Sequence, residues 1–397
     1  MPKQNHDHIS IPEAALSAGL FNPHLPVRRF FAPGRINLIG EHLDYNGGHV
    51  LPAAIGLGIT GYFQIRTDGR LVCASSQFGG KVEAALTDTT CFDSSRGWAN
   101  YPIGMAKYLI EAGYAKAVGG TIYFDSNLPV GSGLSSSAAI EMITAIMLAG
   151  ESFATEEGRV RMARLAQTME NEFIGVRCGI MDQFAVAVSK QGHAVLLDTA
   201  ALSYEFVPAL LDDCSLIIMN TNRPRALSDS KYNERRAECE AALAYIAAVK
   251  TGVSSLAQAS LDDLALVPEG SLRRRARHVV TEEQRVHRAV DALKRGAVTE
   301  FGALLIESHF SLRNDYEVTG RELDTLVDAS CAVSGCLGAR MTGAGFGGCA
   351  IAVVRNQAVT QFIETVGRAY RDATGLKADF YITAPAAGVR ELREREM

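Results

Sequence analysis

Three clusters of glycine constrain the fold of this chain more than any other feature of its sequence. They span residues 34–48, 131–133 and 343–348, and each lies where a strand-like segment meets a turn or a helix. Glycine permits backbone conformations and close approaches that a Cβ atom would block. Loops of this kind often carry binding residues on a rigid scaffold. We therefore expect the three clusters to contact ligands or one another.

The segments between these clusters predict both strands and helices. Runs rich in β-branched and aromatic residues predict strands over Gly58–Arg66, Gly120–Phe124, Ser215–Met219 and Cys349–Val354. Apolar residues at helical spacing predict helices over Ala138–Leu148, Val160–Phe173, Lys231–Val249, Thr281–Arg295 and Leu323–Val333. Because the two kinds of element are mixed without a regular β-α-β alternation, the sequence favours an α+β fold with mixed sheets.

The length of the chain predicts two domains. Its 397 residues are about two to three times the length of a typical domain. We expect an N-terminal domain over residues 1–205 and a C-terminal domain over residues 206–397, although no linker-like composition marks the boundary.

Charge and hydropathy exclude several classes of protein. The chain has 39 basic and 44 acidic residues, so its net charge of −5 gives no reason to expect nucleic-acid binding. No stretch approaches the roughly 18 uninterrupted apolar residues of a membrane span, and the most apolar helix candidate contains Glu141. The N-terminus lacks a basic segment followed by an apolar one, so no secretory signal is expected.

The cysteines and histidines indicate a cytoplasmic protein rather than a disulfide or zinc scaffold. Eight cysteines include no C-x-x-C pair, which is typical of reduced thiols in a chain this long. His6 and His8 have no cysteine or histidine partner at zinc spacing. We expect that pair to belong to a disordered tail.

The first cluster is rich in polar residues that suit a polyol. Residues 33–48 read PGRINLIGEHLDYNGG and place Glu41 and Asp44 on either side of His42. Ionised carboxylates accept charge-assisted hydrogen bonds from neighbouring hydroxyl groups, which a sugar offers in fixed directions. The Asn46-Gly47 pair equally predicts a surface hairpin with solvated charges. The local sequence leaves both interpretations open.

The second cluster predicts a phosphate-binding loop. Residues 129–138 read PVGSGLSSSA, a glycine-rich turn that opens a helix and presents its amide groups to an anion. The lysine of a Walker A loop is absent, and Ser136 stands where a dinucleotide-binding loop has its third glycine. The alternative is an ordinary helix start capped by Ser135–Ser137.

The third cluster and an acidic segment complete the candidate site. Residues 341–349 read MTGAGFGGC, and four glycines within six positions indicate close approach to a ligand or another loop. Glu170 ends a predicted helix, and Asp182 follows a mostly apolar turn. Asp182 is therefore either a partly desolvated functional group or the cap of the next helix.

Together these motifs resemble those of the galactokinases, in the GHMP superfamily of small-molecule kinases. The segment Gly34–Asn46 is similar to the galactokinase signature, with Leu43 at the position where the family has threonine. Further matches are Pro129–Ala138, Cys178–Gln183, Asn220–Cys239 and Met341–Cys349. The resemblance runs from about residue 28 to about residue 385, with the motifs in the family's order.

The resemblance implies a two-domain GHMP kinase fold with its active site in the cleft between the domains. The implied reaction is ATP-dependent phosphorylation of the C1 hydroxyl of α-D-galactose, with Mg²⁺ as cofactor and galactose and ATP as the partners. Asp182 would accept or orient the C1 hydroxyl proton, and Arg35 would hold Asp182 and offset charge in the transition state. Neither a nucleic-acid nor a membrane partner is implied, and the oligomeric state stays open, with a monomer as one candidate.

The resemblance also assigns the remaining site residues. Sugar contacts would come from Glu41, His42, Leu43, Asp44, Gly179 and Tyr232. Phosphate contacts would come from Gly131, Ser132, Gly133, Leu134, Ser135, Ser136 and Ser137, with Ser75 beside the adenine. The magnesium ligands would be Ser137 and Glu170.

Two alternatives to galactose phosphorylation remain. One is a GHMP kinase for a related sugar, such as N-acetylgalactosamine, galacturonate or arabinose, because a few polar contacts decide selectivity. The other is an inactive galactose sensor, which the presence of Arg35, Asp182 and the full GSGLSSSA run disfavours. Leu43 and Arg177 depart from the family pattern; Arg177 is expected to be exposed.

Overall fold

The computed structural model describes residues 11–87, 91–116, 119–223 and 228–392, so His6 and His8 lie outside the described residues. The strands are β1 (Arg28–Asn37), β2 (His49–Val50), β3 (Pro52–Ile65), β4 (Arg70–Ser75), β5 (Lys81–Ala85), β6 (Gly119–Ser126), β7 (His193–Asp198), β8 (Tyr204–Pro208), β9 (Cys214–Asn220), β10 (Cys336–Thr342), β11 (Cys349–Arg355), β12 (Asp379–Thr383) and β13 (Arg390–Glu391). The helices are α1 (Glu13–Ser17), α2 (Asn100–Glu111), α3 (Ser136–Ala149), α4 (Glu156–Met169), α5 (Met181–Val188), α6 (Ser228–Ala247), α7 (Ser271–Lys294), α8 (Val298–Ser311), α9 (Gly320–Cys331) and α10 (Val359–Thr374). This mixture confirms the α+β class.

The strands form three sheets. The largest has the order β13-β1-β3-β6-β4-β5, the second β10-β11-β9-β12, and the smallest β2-β7-β8. Strands β4 and β6 pair in parallel, and the other pairs are antiparallel. Strand β13 pairs with β1, with Phe30 opposite Glu391, so residues 390–391 return to the first sheet. The boundary at 205/206 falls inside β8 and stays a prediction.

Each strand and helix predicted from the pattern overlaps an observed element of the same type. The largest difference is α7, which begins at Ser271 rather than Thr281. Its first turns read SLRRRARHVV, and the many charged residues interrupt the apolar periodicity by which a helix is recognised. Arg275 and His278 are nevertheless buried there, because each finds hydrogen-bond partners on neighbouring elements. Apolar periodicity alone cannot identify a buried face made of paired polar groups.

Packing brings the ends of several elements to one place. Helix α3 is buried over most of its surface and packs against β1, β3, α2 and α5. Helices α8 and α9 pack on β10, and α7 lies between α6 and α8. The glycine-rich segment before α3 meets the start of α5 through Ser135 and Asp182, and it lies beside the turn between β10 and β11, where a Cβ atom on Gly343 would be 3.3 Å from the Gly133 carbonyl oxygen. Within the described ranges, no helix combines the length and apolar character needed to cross a bilayer.

Candidate active site

Arg35 of β1 reaches the predicted phosphate loop, residues 129–138. The register of β1 against β3 shifts there, because Pro33 pairs with Gly58 but Arg35 pairs with Ala54, which leaves two extra residues in β3. A Cβ atom on Gly34 would lie only 2.7 Å from the carbonyl oxygen of Leu134, so glycine permits this approach. The Arg35 amide donates to that carbonyl at 3.1 Å, and its Nη1 donates to the Gly133 carbonyl at 2.6 Å.

Arg35 also holds Asp182, which lies in the first turn of α5. Nε donates to Oδ1 at 2.8 Å and Nη2 donates to Oδ2 at 3.0 Å, a two-point contact that orients the carboxylate. The alternative that Asp182 caps the helix is wrong. The N-cap residue is Ile180, and the described contacts of the carboxylate go to Arg35 and Ser135.

Ser135 begins α3 in a way that the capping hypothesis did not anticipate. Its φ of 62° lies in the left-handed region, which is unfavourable for serine and is often retained at functional sites. Its hydroxyl donates to Asp182 Oδ2 at 2.6 Å instead of capping the helix. The helix geometry still leaves the first amide groups of α3 without intrahelical partners, as an anion site requires.

Glu41, His42 and Asn46 of the first cluster are buried and Asp44 is half-buried, so the solvated-hairpin alternative is wrong. The Glu41 carboxylate accepts hydrogen bonds from Asn37 Nδ2 at 2.5 Å and from the Gly343 amide at 2.6 Å. Arg340 lies 3.5 Å from the same carboxylate and is itself fully buried. Burial raises the pKa of Glu41, although these donors and Arg340 oppose the shift. The third glycine cluster thus contacts the first through the Gly343 amide and the Glu41 carboxylate.

His42 is a buried neutral imidazole. Burial lowers its pKa to about 3, with further lowering from the charge of His278. Its Nδ1 lies 2.8 Å from Tyr45 Oη, which lies 2.8 Å from Tyr316 Oη. This chain fixes the ring in one orientation. The ring centroid of Tyr232 is 5.8 Å from that of His42.

Asp44 packs directly against Gly179. A Cβ atom at position 179 would clash severely with the Asp44 carboxylate, so only glycine fits there. Burial raises the pKa of Asp44 to about 7, and the charges of Asp182 and Glu41 add to the shift. Asp44 is therefore poised between its neutral and ionised forms near neutral pH.

These residues line one cavity of about 190 Å³. Most of the residues predicted to act in catalysis or to contact the sugar line this cavity: Arg35, Asp182, Glu41, His42, Asp44, Gly179 and Tyr232. Leu43 does not line it. The Leu43 side chain is fully buried in the core, and its carbonyl accepts the amides of Asn46 and Gly48. Arg177 is exposed, as expected.

A second cavity of about 150 Å³ lies beside the predicted phosphate loop. Ser75, Ser136 and Ser137 all line it. Its aromatic walls include Phe78 and Trp98, which stack with ring centroids 5.9 Å apart. Flat apolar walls with a few polar groups suit a heterocyclic base. Of the other loop residues, Ser132 and Leu134 have buried side chains, so their contact with a ligand would be through the backbone.

Glu170 occupies an acidic corner of the first cavity. Gln183 Nε2 donates to Glu170 Oε2 at 2.6 Å and to Glu141 Oε2 at 3.2 Å. Glu141 Oε1 is buried without a hydrogen-bond partner in the described part of the chain. Burial raises the pKa of Glu170 to about 7, with a further contribution from the charge of Asp182. The carboxylate oxygens of this corner fit a hard divalent cation such as Mg²⁺.

Sequence reasoning missed several residues that support the site. Tyr316 and Arg340 had no local signal, because their partners lie far away along the chain. Glu141 did carry one, as the single charge within an otherwise apolar helix segment. It is fully buried beside Glu170 and Gln183.

Three protein-family models match segments of the chain. Residues 20–64 match the galactokinase galactose-binding signature, residues 100–190 the GHMP kinases N terminal domain, and residues 289–372 the GHMP kinases C terminal. The galactokinase of Exiguobacterium sibiricum is 48% identical over 370 residues, which cover 92% of this chain and 94% of that one.

Solved structures give the same picture. A Lactococcus lactis galactokinase complexed with galactose matches with a TM-score of 0.90 and 42% identity, over 96% of this chain and 99% of that one. The Methanococcus jannaschii mevalonate kinase matches with a TM-score of 0.66 and 17% identity, over 92% and 99% of the two chains, which shows a shared fold.

Proposed function

The chain belongs to the galactokinase family of GHMP kinases, and we propose that it transfers the γ-phosphoryl group of ATP to the C1 hydroxyl of α-D-galactose. The products are galactose 1-phosphate and ADP. The observation that carries this proposal is the Asp182 carboxylate, oriented by Arg35 in the wall of a cavity that also contains Glu41, His42 and Asp44.

Asp182 is the proposed base or orienting group. A carboxylate offers about four acceptor positions, of which Arg35 fills two and Ser135 one, so one remains for the C1 hydroxyl. Accepting that hydrogen bond aims the hydroxyl oxygen at the phosphoryl group and gives its proton a destination. Arg35 keeps the carboxylate in place and adds positive charge where negative charge develops.

The other polar groups of the cavity are proposed to read the sugar hydroxyls. Glu41 is buried and held by three elements, so it offers an acceptor that cannot swing away. His42 is neutral and adds a ring nitrogen, while Asp44 adds a second carboxyl group and Tyr232 a hydroxyl. A pocket of buried polar groups rejects analogues that leave its members unpaired.

The phosphate loop and the acidic corner are proposed to receive the nucleotide. The amides at the start of α3 would bind phosphate oxygens, and the aromatic cavity would take the adenine beside Ser75. Ser137 and Glu170 would hold Mg²⁺, which neutralises phosphate charge during transfer. Gln183, whose amide also donates to Glu141, keeps the Glu170 carboxylate oriented.

The test is ADP release from Mg-ATP with galactose, 2-deoxygalactose, N-acetylgalactosamine, galacturonate, arabinose and glucose. We expect a clear preference for galactose. Preference for another sugar would keep the kinase chemistry and change the substrate. Measurable ATP binding with no turnover of any sugar would contradict an enzyme and support a sensor.

A further inference from the structure

A cluster of two histidines and a glutamate lies outside both cavities. His49 is the first residue of β2, whereas Glu283 and His287 are one turn apart on α7. One nitrogen from each histidine and one carboxylate oxygen all lie within 4.8 Å of one another. Two imidazoles and one carboxylate are a common donor set for zinc.

The contacts in the cluster already converge on one oxygen. Glu283 Oε1 lies 2.6 Å from His49 Nδ1 and 3.2 Å from His287 Nε2. Glu283 Oε2 accepts the His49 backbone amide at 2.8 Å, which fixes the carboxylate. Ligands bound at about 2.0–2.1 Å to a tetrahedral zinc ion are about 3.3 Å apart. The distance of 3.2 Å between His287 Nε2 and Glu283 Oε1 is already close to that value, whereas the His49 ring has to move away from Glu283 Oε1 to reach it.

A further carboxylate, that of Asp198, lies near the other nitrogen of His49. Asp198 Oδ2 lies 4.0 Å from His49 Nε2, while Asp198 Oδ1 accepts the amides of Ala200 and Ala201. Histidines that bind a metal through one nitrogen usually present the other nitrogen to a carboxylate or carbonyl group. Asp198 would take that second role once the present gap of 4.0 Å closes to hydrogen-bond distance.

We propose that His49 Nδ1, Glu283 Oε1 and His287 Nε2 form a zinc-binding site, with solvent as the fourth ligand. The His287 side chain is 52% exposed, which provides a path for the ion from solution. Imidazole nitrogens favour zinc over magnesium, which prefers oxygen ligands alone. The site would thus be chemically distinct from the acidic corner around Glu170.

Zinc at this position would fasten the first glycine cluster to α7. His49 directly follows Gly47 and Gly48, and the neighbouring Glu282 accepts the Gly40 amide at 3.0 Å. Both ends of the segment 40–49 therefore meet the same turn of α7. An ion that binds only the folded chain raises its free energy of unfolding by an amount that grows with the logarithm of the ratio of free ion concentration to Kd.

The experiment is calorimetric titration of the full chain with ZnCl₂ in excess Mg²⁺ and without nucleotide, together with thermal unfolding. We expect a zinc ion bound to this cluster and a higher Tm with zinc. His287→Ala should weaken this binding by at least about tenfold and abolish the Tm shift. His24→Ala, at another exposed histidine, is the matched control and should change neither.

Two further variants keep the test decisive. Glu283→Gln removes the shared carboxylate and should weaken zinc binding in the same way as His287→Ala. His6→Ala with His8→Ala removes the N-terminal histidines and should leave the site intact. Equal zinc affinity in the parent, His287→Ala and Glu283→Gln proteins would overturn the proposal, as would the absence of zinc binding in the parent.

Discussion

Arg35 donates hydrogen bonds to both carboxylate oxygens of Asp182, from Nε to Oδ1 at 2.8 Å and from Nη2 to Oδ2 at 3.0 Å. The arginine side chain is almost fully buried, whereas the aspartate side chain is 31% exposed. The buried Arg35 therefore holds the carboxylate in place, while the carboxylate remains accessible from the cavity. This is the geometry expected of a group that must present one oxygen to a substrate hydroxyl.

Replacing Asp182 with alanine should remove the proposed proton acceptor. We expect Asp182→Ala to lower kcat by about 10²–10⁴ or more while ATP binding stays nearly unchanged. Steady-state kinetics and nucleotide titration would measure the two effects. Asp372→Ala, at an exposed aspartate on α10, is the control. Near-normal turnover of Asp182→Ala would remove this residue from the base role.

Arg35→Lys tests the two-point contact while keeping the charge. Lysine cannot form two parallel hydrogen bonds to one carboxylate, so the transition state should lose about 1.5–3 kcal/mol. We expect a corresponding fall in kcat for galactose. Arg28 makes a similar two-point contact with Glu391 at the surface of the same strand, so Arg28→Lys is the matched control. Equal small effects of the two substitutions would contradict a special role for Arg35.

Gly179→Ala tests the packing of Asp44. The added methyl group would force the Asp44 carboxylate to move, and overpacking of this kind costs about 1–3 kcal/mol. We expect KM for galactose to rise more than KM for ATP. Gly79→Ala is the control, because a Cβ atom there meets nothing within 4 Å. An unchanged KM for galactose would show that Asp44 does not contact the sugar.

Asp44→Asn should change how stability depends on pH. The folded-state pKa of Asp44 is about 7, above its ordinary value of 3.8, so the folded chain binds the extra proton between these values. Its stabilising contribution is present below about pH 4 and is lost as pH rises through about 7.

Asparagine stays neutral throughout, so the variant should gain stability relative to the parent as pH rises from about 4 to 8. Urea unfolding at several pH values would measure the difference, with Asp372→Asn as the exposed control. A difference that does not vary with pH would contradict the raised pKa.

Leu43→Thr tests the departure from the family signature. Because Leu43 is fully buried in the core and does not line the cavity, the loss of apolar contact should destabilise the protein by about 1–3 kcal/mol. KM for galactose should change little. Leu43→Met, which preserves the volume, should cost less. A large change in KM for galactose with unchanged stability would show that position 43 shapes the sugar site.

Much of the fold could be predicted because its signals are local. The strands around Ile122 and Ile218 and the helices around Ile143 and Leu326 are visible in the periodicity of a few neighbouring residues. The polar and glycine-rich motifs likewise identify which segments approach a ligand. Local patterns failed at the start of α7, where Arg275 and His278 are buried through hydrogen bonds rather than apolar contact.

By itself, the sequence determined the α+β class, the resemblance to a kinase family and the segments that carry the chemistry. Only the tertiary structure decided that Asp182 is held by Arg35 and Ser135, that Leu43 fills the core and that Glu41 meets Arg340. Arg35 and Asp182 lie 147 positions apart, and Glu41 and the Gly343 amide 302. Periodicity and turn chemistry act over a few residues, whereas such pairs form only when packing of whole sheets and helices brings distant segments together.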